Sequence, residues 1–175
     1  MTGHLHSPHS GDYLEFVKDE HWEYVRRVTG RDVVMIVPVL KSGHVLLVEQ
    51  YRIPVGGNVI EWPAGLVGDV DLGEPLENAA ARELEEETGY RAAELTRTAS
   101  GPPSSGLADE IVHVFLARGL EHIHEGGGDA SESIQVHAVE RDSVDDWLEQ
   151  HRQAGRYIDV KLYTGLYFVD KSFGK

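Results

Sequence analysis

Residues 81–90 read ARELEEETGY and place glutamates at Glu83, Glu85, Glu86 and Glu87. Like charges this close along a helix repel, so a stable chain needs a reason to keep them. At about 100° per residue, Glu86, Glu83 and Glu87 share one arc with Leu76, Ala79 and Ala80, bordered by Leu84, whereas Glu85 points the other way. Glu85 therefore reads as solvated surface. The other three continue the core-facing stripe, where unpaired charge is costly. Arg82 can pair with one of them but cannot satisfy three. A hard divalent cation, Mg²⁺ or Mn²⁺, takes carboxylate oxygen and would neutralise all three. Residues 68–90 hold eight acidic residues against one arginine, a charge of −7 and half of the net −14 of the whole chain.

The elements around this stretch must position it. Pro75 in a first turn and Gly89 just past the end bound a helix over 75–88. Upstream, YLEFV (13–17) and WEYVRRV (22–28) alternate apolar and polar residues around a charged link and predict a hairpin. DVVMIVPVL and HVLLVEQYR, joined by KSG, predict a second hairpin containing a buried strand. NVIEWPAG is a short strand stopped by Pro63 and Gly65. Downstream come the strands AAELTRTAS, EIVHVFLARG and SIQVHAV, then two helical patterns, SVDDWLEQHRQ and VKLYTGLYFVDKS. The alternation predicts an α/β fold with a mixed sheet packed by helices. Residues 1–28 read as an N-terminal β-arm added to a domain over 29–175. His4, His6 and His9 fall in a stretch expected to be a mobile tail. The glycines at 126–128 open no helix and read as a flexible loop.

The 175 residues suit a chain with a sizeable core. A net charge of −14 argues against a nucleic-acid backbone or an anionic membrane as the main partner. Without cysteine there is no disulfide framework and no thiolate zinc site. That composition is compatible with a reducing cytoplasm, the expected location. The amino terminus lacks the apolar core of a secretory signal, and VVMIVPVL is too short to span a bilayer. Histidines 122 and 124 lie beside a glycine loop without the helical pairing of a zinc site.

GDVDLGEPLENAAARELEEETGY resembles the Nudix box, G-x5-E-x7-R-E-U-x-E-E-x-G-U, at every fixed position: Gly68, Glu74, Arg82, Glu83, Leu84, Glu86, Glu87, Gly89 and Tyr90. The resemblance implies a Nudix fold, a mixed sheet between helices that cleaves a nucleoside diphosphate linked to another group. It assigns metal binding to Glu83, Glu86 and Glu87, and a catalytic role to Arg82. In many members a backbone carbonyl before a P-A-G glycine is also a ligand. Here WPAG puts that glycine at Gly65 and the carbonyl at Ala64, with a loop three residues longer than usual before Gly68.

WEYVRR, VEQYRIPVGGNVIEWPAGL and SSGLADE are similar to the branch of the family that hydrolyses ADP-ribose and nucleotide sugars. The likeness implies that Trp22 stacks on the base across a homodimer interface, with Glu23 accepting from a base edge. It implies diphosphate or ribose binding by Arg27 and Arg52, supported by Glu61, and substrate contacts from Ser105, Gly106 and Glu110. Ser105 stands where the branch usually has proline, which leaves ADP-ribose and a nucleoside diphosphate sugar both open. SESIQV resembles the branch's E-x-(I/V)-x-V pattern and places the general base at Glu132, with Asp129 as the alternative. A non-catalytic sensor should carry an eroded box and a basic DNA-binding domain, and this chain shows neither. A nucleoside triphosphate hydrolase is disfavoured by the arm and by the EQYR and SSGLADE stretches.

Overall fold

The computed structural model describes residues 6–68, 73–128 and 133–174. Its elements in chain order are strands β1 (His6–Ser10), β2 (Leu14–Asp19), β3 (Trp22–Arg27), β4 (Asp32–Pro38), β5 (His44–Arg52), β6 (Gly57–Glu61) and β7 (Ala64–Leu66), then helix α1 (Leu76–Thr88). Strands β8 (Tyr90–Arg91), β9 (Glu94–Gly101), β10 (Ile111–Arg118), β11 (Glu121–His122) and β12 (Gln135–Glu140) follow. Helix α2 (Val144–Gln153), strand β13 (Tyr157–Ile158) and helix α3 (Lys161–Ser172) complete the chain.

β2 and β3 pair antiparallel, Asp19 opposite Trp22, as their alternation predicts. β1 adds a third strand to this arm. The expected mobile tail is corrected there, because residues 6–10 form that edge strand. The arm is tied to the body by the Val25 N–H, which donates to the Leu107 carbonyl at 2.8 Å, and by a parallel bridge between Val25 and Ala108.

The mixed sheet is split into two four-stranded sheets, β7-β4-β10-β9 and β12-β5-β6-β13. In the first, β10 runs parallel to β4 and antiparallel to β9. In the second, β13 runs parallel to β6 while β5 and β12 are antiparallel. This corrects the second expected hairpin. β4 and β5 go to different sheets and touch through one isolated bridge, Val39 to Val45, and a hydrogen bond from the Leu40 N–H to the His44 carbonyl. The reason is burial on both faces. Val34 and Ile36 of β4 pack with Ala79, Ala80 and Leu84 of α1. Met35 and Val37 face the other core, with Leu47, Ile60, Trp62 and the apolar faces of α2 and α3. A strand apolar on both faces needs a layer on each side, and the second sheet supplies one. Fully burying a side chain such as Ile36 or Leu84 contributes roughly 1.5–3 kcal/mol. α1 is thereby fixed on the first sheet, and the rotation of its glutamates is fixed with it.

Candidate active site

α1 begins after Pro75 and ends at Gly89, whose left-handed backbone (φ 76°) lets its N–H close on the Glu85 carbonyl. Packing of Ala79, Ala80 and Leu84 turns Glu83 and Glu87 inward, 8% and 3% exposed. Glu86 sits at the margin, its side chain 52% exposed. That corrects the expectation that all three lie in the core-facing stripe: the apolar arc is narrower than the wheel suggests, and Glu86 faces open space.

Arg82 does more than pair with one carboxylate. Its guanidinium donates to Glu74 through Nε and Nη2 at 3.2 and 3.1 Å. It also donates to Glu83 at 2.8 Å, to Glu86 at 3.2 Å and to the Leu66 carbonyl at 3.2 Å. Five N–H donors in a fixed fork make this possible. Glu87 accepts from the Ala64 N–H at 3.3 Å. Gly65 makes room next to it: a Cβ there would lie 1.8 Å from the Glu83 carboxyl carbon and push that carboxylate from its position. The WPAG glycine thus makes room for a box carboxylate, while Gly68 holds a left-handed turn (φ 83°) after it.

Arg82, the three box carboxylates Glu83, Glu86 and Glu87, and the Ala64–Leu66 strand line one cavity of about 540 Å³, which also takes in Arg27, Arg52, Glu61 and Glu110. Arg52 Nε donates to Glu61 at 2.7 Å. Arg27 donates to Glu110 through Nε and Nη2 at 3.1 and 2.9 Å. Burial pushes the Glu61 carboxyl above its ordinary range, partly opposed by Arg52. Two arginines from the arm and from β5 therefore meet the α1 carboxylates across one space, each already held by an acidic partner.

Trp22, Ser105 and Gly106 do not reach this cavity. They line a separate one of about 340 Å³ with Tyr24 and Ala108. Glu23 faces Lys18 at 3.2 Å on the arm surface. The sequence reading missed several residues that line the cavity: the apolar Val33, Leu66 and Val112, together with Pro103 and Lys161. Lys161 opens α3, where the helix dipole disfavours a cation, and that misfit was the available signal. Asp159 holds it, accepting from both the Lys161 backbone N–H and its ammonium.

Residues 29–159 match the NUDIX domain family. The chain belongs to the Nudix family. An ADP-ribose pyrophosphatase of Bacillus subtilis is 45% identical over 92 residues, 53% of this chain and 48% of that protein. One from Saccharomyces cerevisiae is 39% identical over 159 residues, covering 83% and 68%. A mouse ADP-sugar pyrophosphatase is 39% identical over 105 residues, covering 55% and 47%. The chain thus spans about half the length of the Bacillus and mouse relatives. The fold resembles a crystal structure of an ADP compounds hydrolase, with TM-score 0.71 and 21% identity over 97% of this chain and 90% of that one.

As they stand, the Nudix-box carboxylates do not converge on a point. Among the described residues no three histidine, aspartate or glutamate side chains form a group that could hold an ion. Arg82 draws Glu83 and Glu86 toward itself, and Glu87 turns to Ala64. The donor types nevertheless fit a hard divalent cation: the Glu83, Glu86 and Glu87 carboxylates and the strand end at Ala64 border one cavity, and glycine at position 65 leaves the Glu83 carboxylate its place there.

Asp129 and Glu132 lie outside the described residues. The glycines before them are not a free loop, which corrects that expectation. The Gly127 and Gly128 N–H groups donate to the Glu87 and Glu86 carbonyls at 2.9 and 3.1 Å, capping the last turn of α1. A Cβ on Gly126 would lie 2.4 Å from the Thr88 backbone.

Proposed function

We propose that this protein is a divalent-metal-dependent pyrophosphohydrolase of ADP-ribose or a nucleoside diphosphate sugar, yielding a nucleoside monophosphate and a sugar phosphate. The observation that carries this reading is the meeting of Glu83, Glu86, Glu87 and the Ala64 strand end with Arg27 and Arg52 around one cavity. The relatives whose names specify ADP-ribose or ADP-sugars support the substrate class.

Glu83, Glu86, Glu87 and the Ala64 carbonyl would hold Mg²⁺ or Mn²⁺. The chemistry such a cation supplies is neutralisation of the diphosphate and orientation of a water. Arg27 and Arg52 exchange their carboxylate partners for substrate, offering forked donors to phosphate or ribose oxygens. Glu132, or Asp129, takes the proton from the attacking water as its oxygen bonds to phosphorus. The bridging phosphorus–oxygen bond breaks, and the electron pair leaves with the departing phosphate. Arg82 holds the box glutamates in register. Trp22 and Glu23 act on the base in the pocket of a second copy, and the enzyme works as a cytoplasmic homodimer.

The test is a panel of ADP-ribose, nucleotide sugars, dinucleoside polyphosphates and triphosphates with product analysis. ADP-ribose or a nucleotide sugar is expected to be split within the diphosphate. EDTA should abolish the reaction, and Mg²⁺ or Mn²⁺ should restore it. Triphosphates hydrolysed much faster than every sugar nucleotide, or activity indifferent to EDTA, would refute the reading.

A further inference from the structure

The active-site cavity does not end at Lys161. Pro103, Val112 and Lys161 also line a second chamber of about 350 Å³, which opens under α3. Its floor is the first sheet. Val112 stands opposite Gly101 and Val114 opposite Ala99 across the β9–β10 pair, and the inward face of that pair forms the chamber wall. Its roof is the first turn of α3, with Lys161 and Thr164 on adjacent positions of the helix surface. Among the described residues, no aromatic side chain lines it. Each space alone falls in the range of small-molecule sites, roughly 300–1,000 Å³.

We infer that this chamber holds the sugar of the substrate, with Lys161 at the junction meeting the phosphate that carries it. The inference rests on the proposed function. A nucleobase wants an aromatic face to stack on, and among the described residues the chamber has none. Trp22 lines a different cavity. A sugar has an apolar C–H face for Ala99, Val112 and Val114, and hydroxyls for Thr164 and solvent. Lys161 is the cation that borders both spaces, and Asp159 keeps its ammonium at that border. Gly101 leaves the wall bare: a Cβ there meets nothing within 4 Å, so the chamber has room that a side chain would take.

The experiment fills the chamber from opposite walls, with Gly101→Leu and with Thr164→Phe. The readout is the ratio of kcat/KM on ADP-ribose and ADP-glucose to kcat/KM on the β-methyl ester of ADP. That ester keeps the nucleoside and the diphosphate but lacks the terminal sugar on the second phosphate. A ratio is insensitive to the fraction of enzyme that folds. It should fall about tenfold or more in both variants, since steric exclusion from a fitted pocket discriminates by that order. Lys161→Met should raise KM about tenfold on all three substrates, with partial recovery in Lys161→Arg, because the phosphate is common to them. An unchanged ratio in both filled variants, with the wild type active, overturns the chamber and leaves the proposed function standing. An unchanged KM in Lys161→Met overturns the role of the lysine. A wild type that hydrolyses none of the three overturns the functional reading and this inference with it.

Discussion

Glu83 and Glu87 are nearly buried, so each needs a compensating partner. Arg82 and the Ala64 N–H provide partners in the protein alone. The carboxylates are therefore structural acceptors in the protein as it stands. Under the proposed function they would hold the metal and be poor proton acceptors, so the base would come from a carboxylate outside the helix. The docking of Gly127 and Gly128 on the Glu87 and Glu86 carbonyls brings the chain to the end of α1 just before Asp129 and Glu132. Glu132→Gln is expected to lower turnover by about 10²–10⁴-fold, the usual cost of removing a general base, with little change in KM. Steady-state kinetics of Glu132→Gln beside Asp129→Asn decides it. A fully active Glu132→Gln with a dead Asp129→Asn moves the base to Asp129.

At the level of elements, the second sheet carries a buried polar cluster away from the active site. Glu49 of β5 is 4% exposed. It accepts from Asn58 at 2.7 Å and from Arg156 at 3.2 Å, and His137 Nε2 of β12 lies 3.2 Å away. The His137 ring packs on Trp147, which itself stacks against His151 of α2. Burial holds the His137 pKa below its ordinary 6.5, partly opposed by Glu49. Burial pushes Glu49 up, but bonds from Asn58 and Arg156 outweigh it and hold it below 4.5. For His137 the neutral ring is the one the fold favours. Its contribution to stability is present above pH 6.5 and is lost as pH falls through the lower folded value. The corresponding loss from Glu49 begins only below 4.5. Thermal unfolding of the wild type between pH 7 and 5 should show a falling Tm. His137→Gln keeps a donor for Glu49 but cannot take up a proton, and should flatten that fall. Equal slopes in the two proteins would show that the cluster does not respond to acid.

For the whole molecule, the arm is the open question of assembly. A two-stranded hairpin is marginal alone, and here β2 and β3 take β1 as a third strand and lean on the body through Val25 and through Arg27 with Glu110. Trp22 stays 58% exposed and outside the cavity of its own chain. An exposed tryptophan at a hairpin end fits a role in a second copy. Sedimentation at micromolar concentration is expected to show a dimer. Trp22→Ala should raise KM roughly tenfold or more, since losing a base–aromatic stack costs about 1–3 kcal/mol. An active monomer, or an unaltered KM, would remove the arm from the site.

The sequence by itself determined the parts governed by local periodicity and chain chemistry. Helical spacing was enough to turn Glu83 and Glu87 inward, though not to show that Glu86 stays exposed, and Pro75 and Gly89 bounded α1 to within a residue. The box pattern carried the family, and alternation drew the β2–β3 hairpin. Tertiary structure decided whatever depends on residues far apart in the chain. β4 and β5 look like a hairpin because each is apolar and a short turn joins them. Only the layers available on both sides send them to separate sheets. Arg82 reaches the Leu66 carbonyl, and Glu87 the Ala64 N–H, because the fold brings β7 beside α1. The glycines at 126–128 resemble a loose loop until the end of α1 is there to bond them. Lys161 lies about seventy residues beyond the box and reaches the site only because α3 packs over the first sheet.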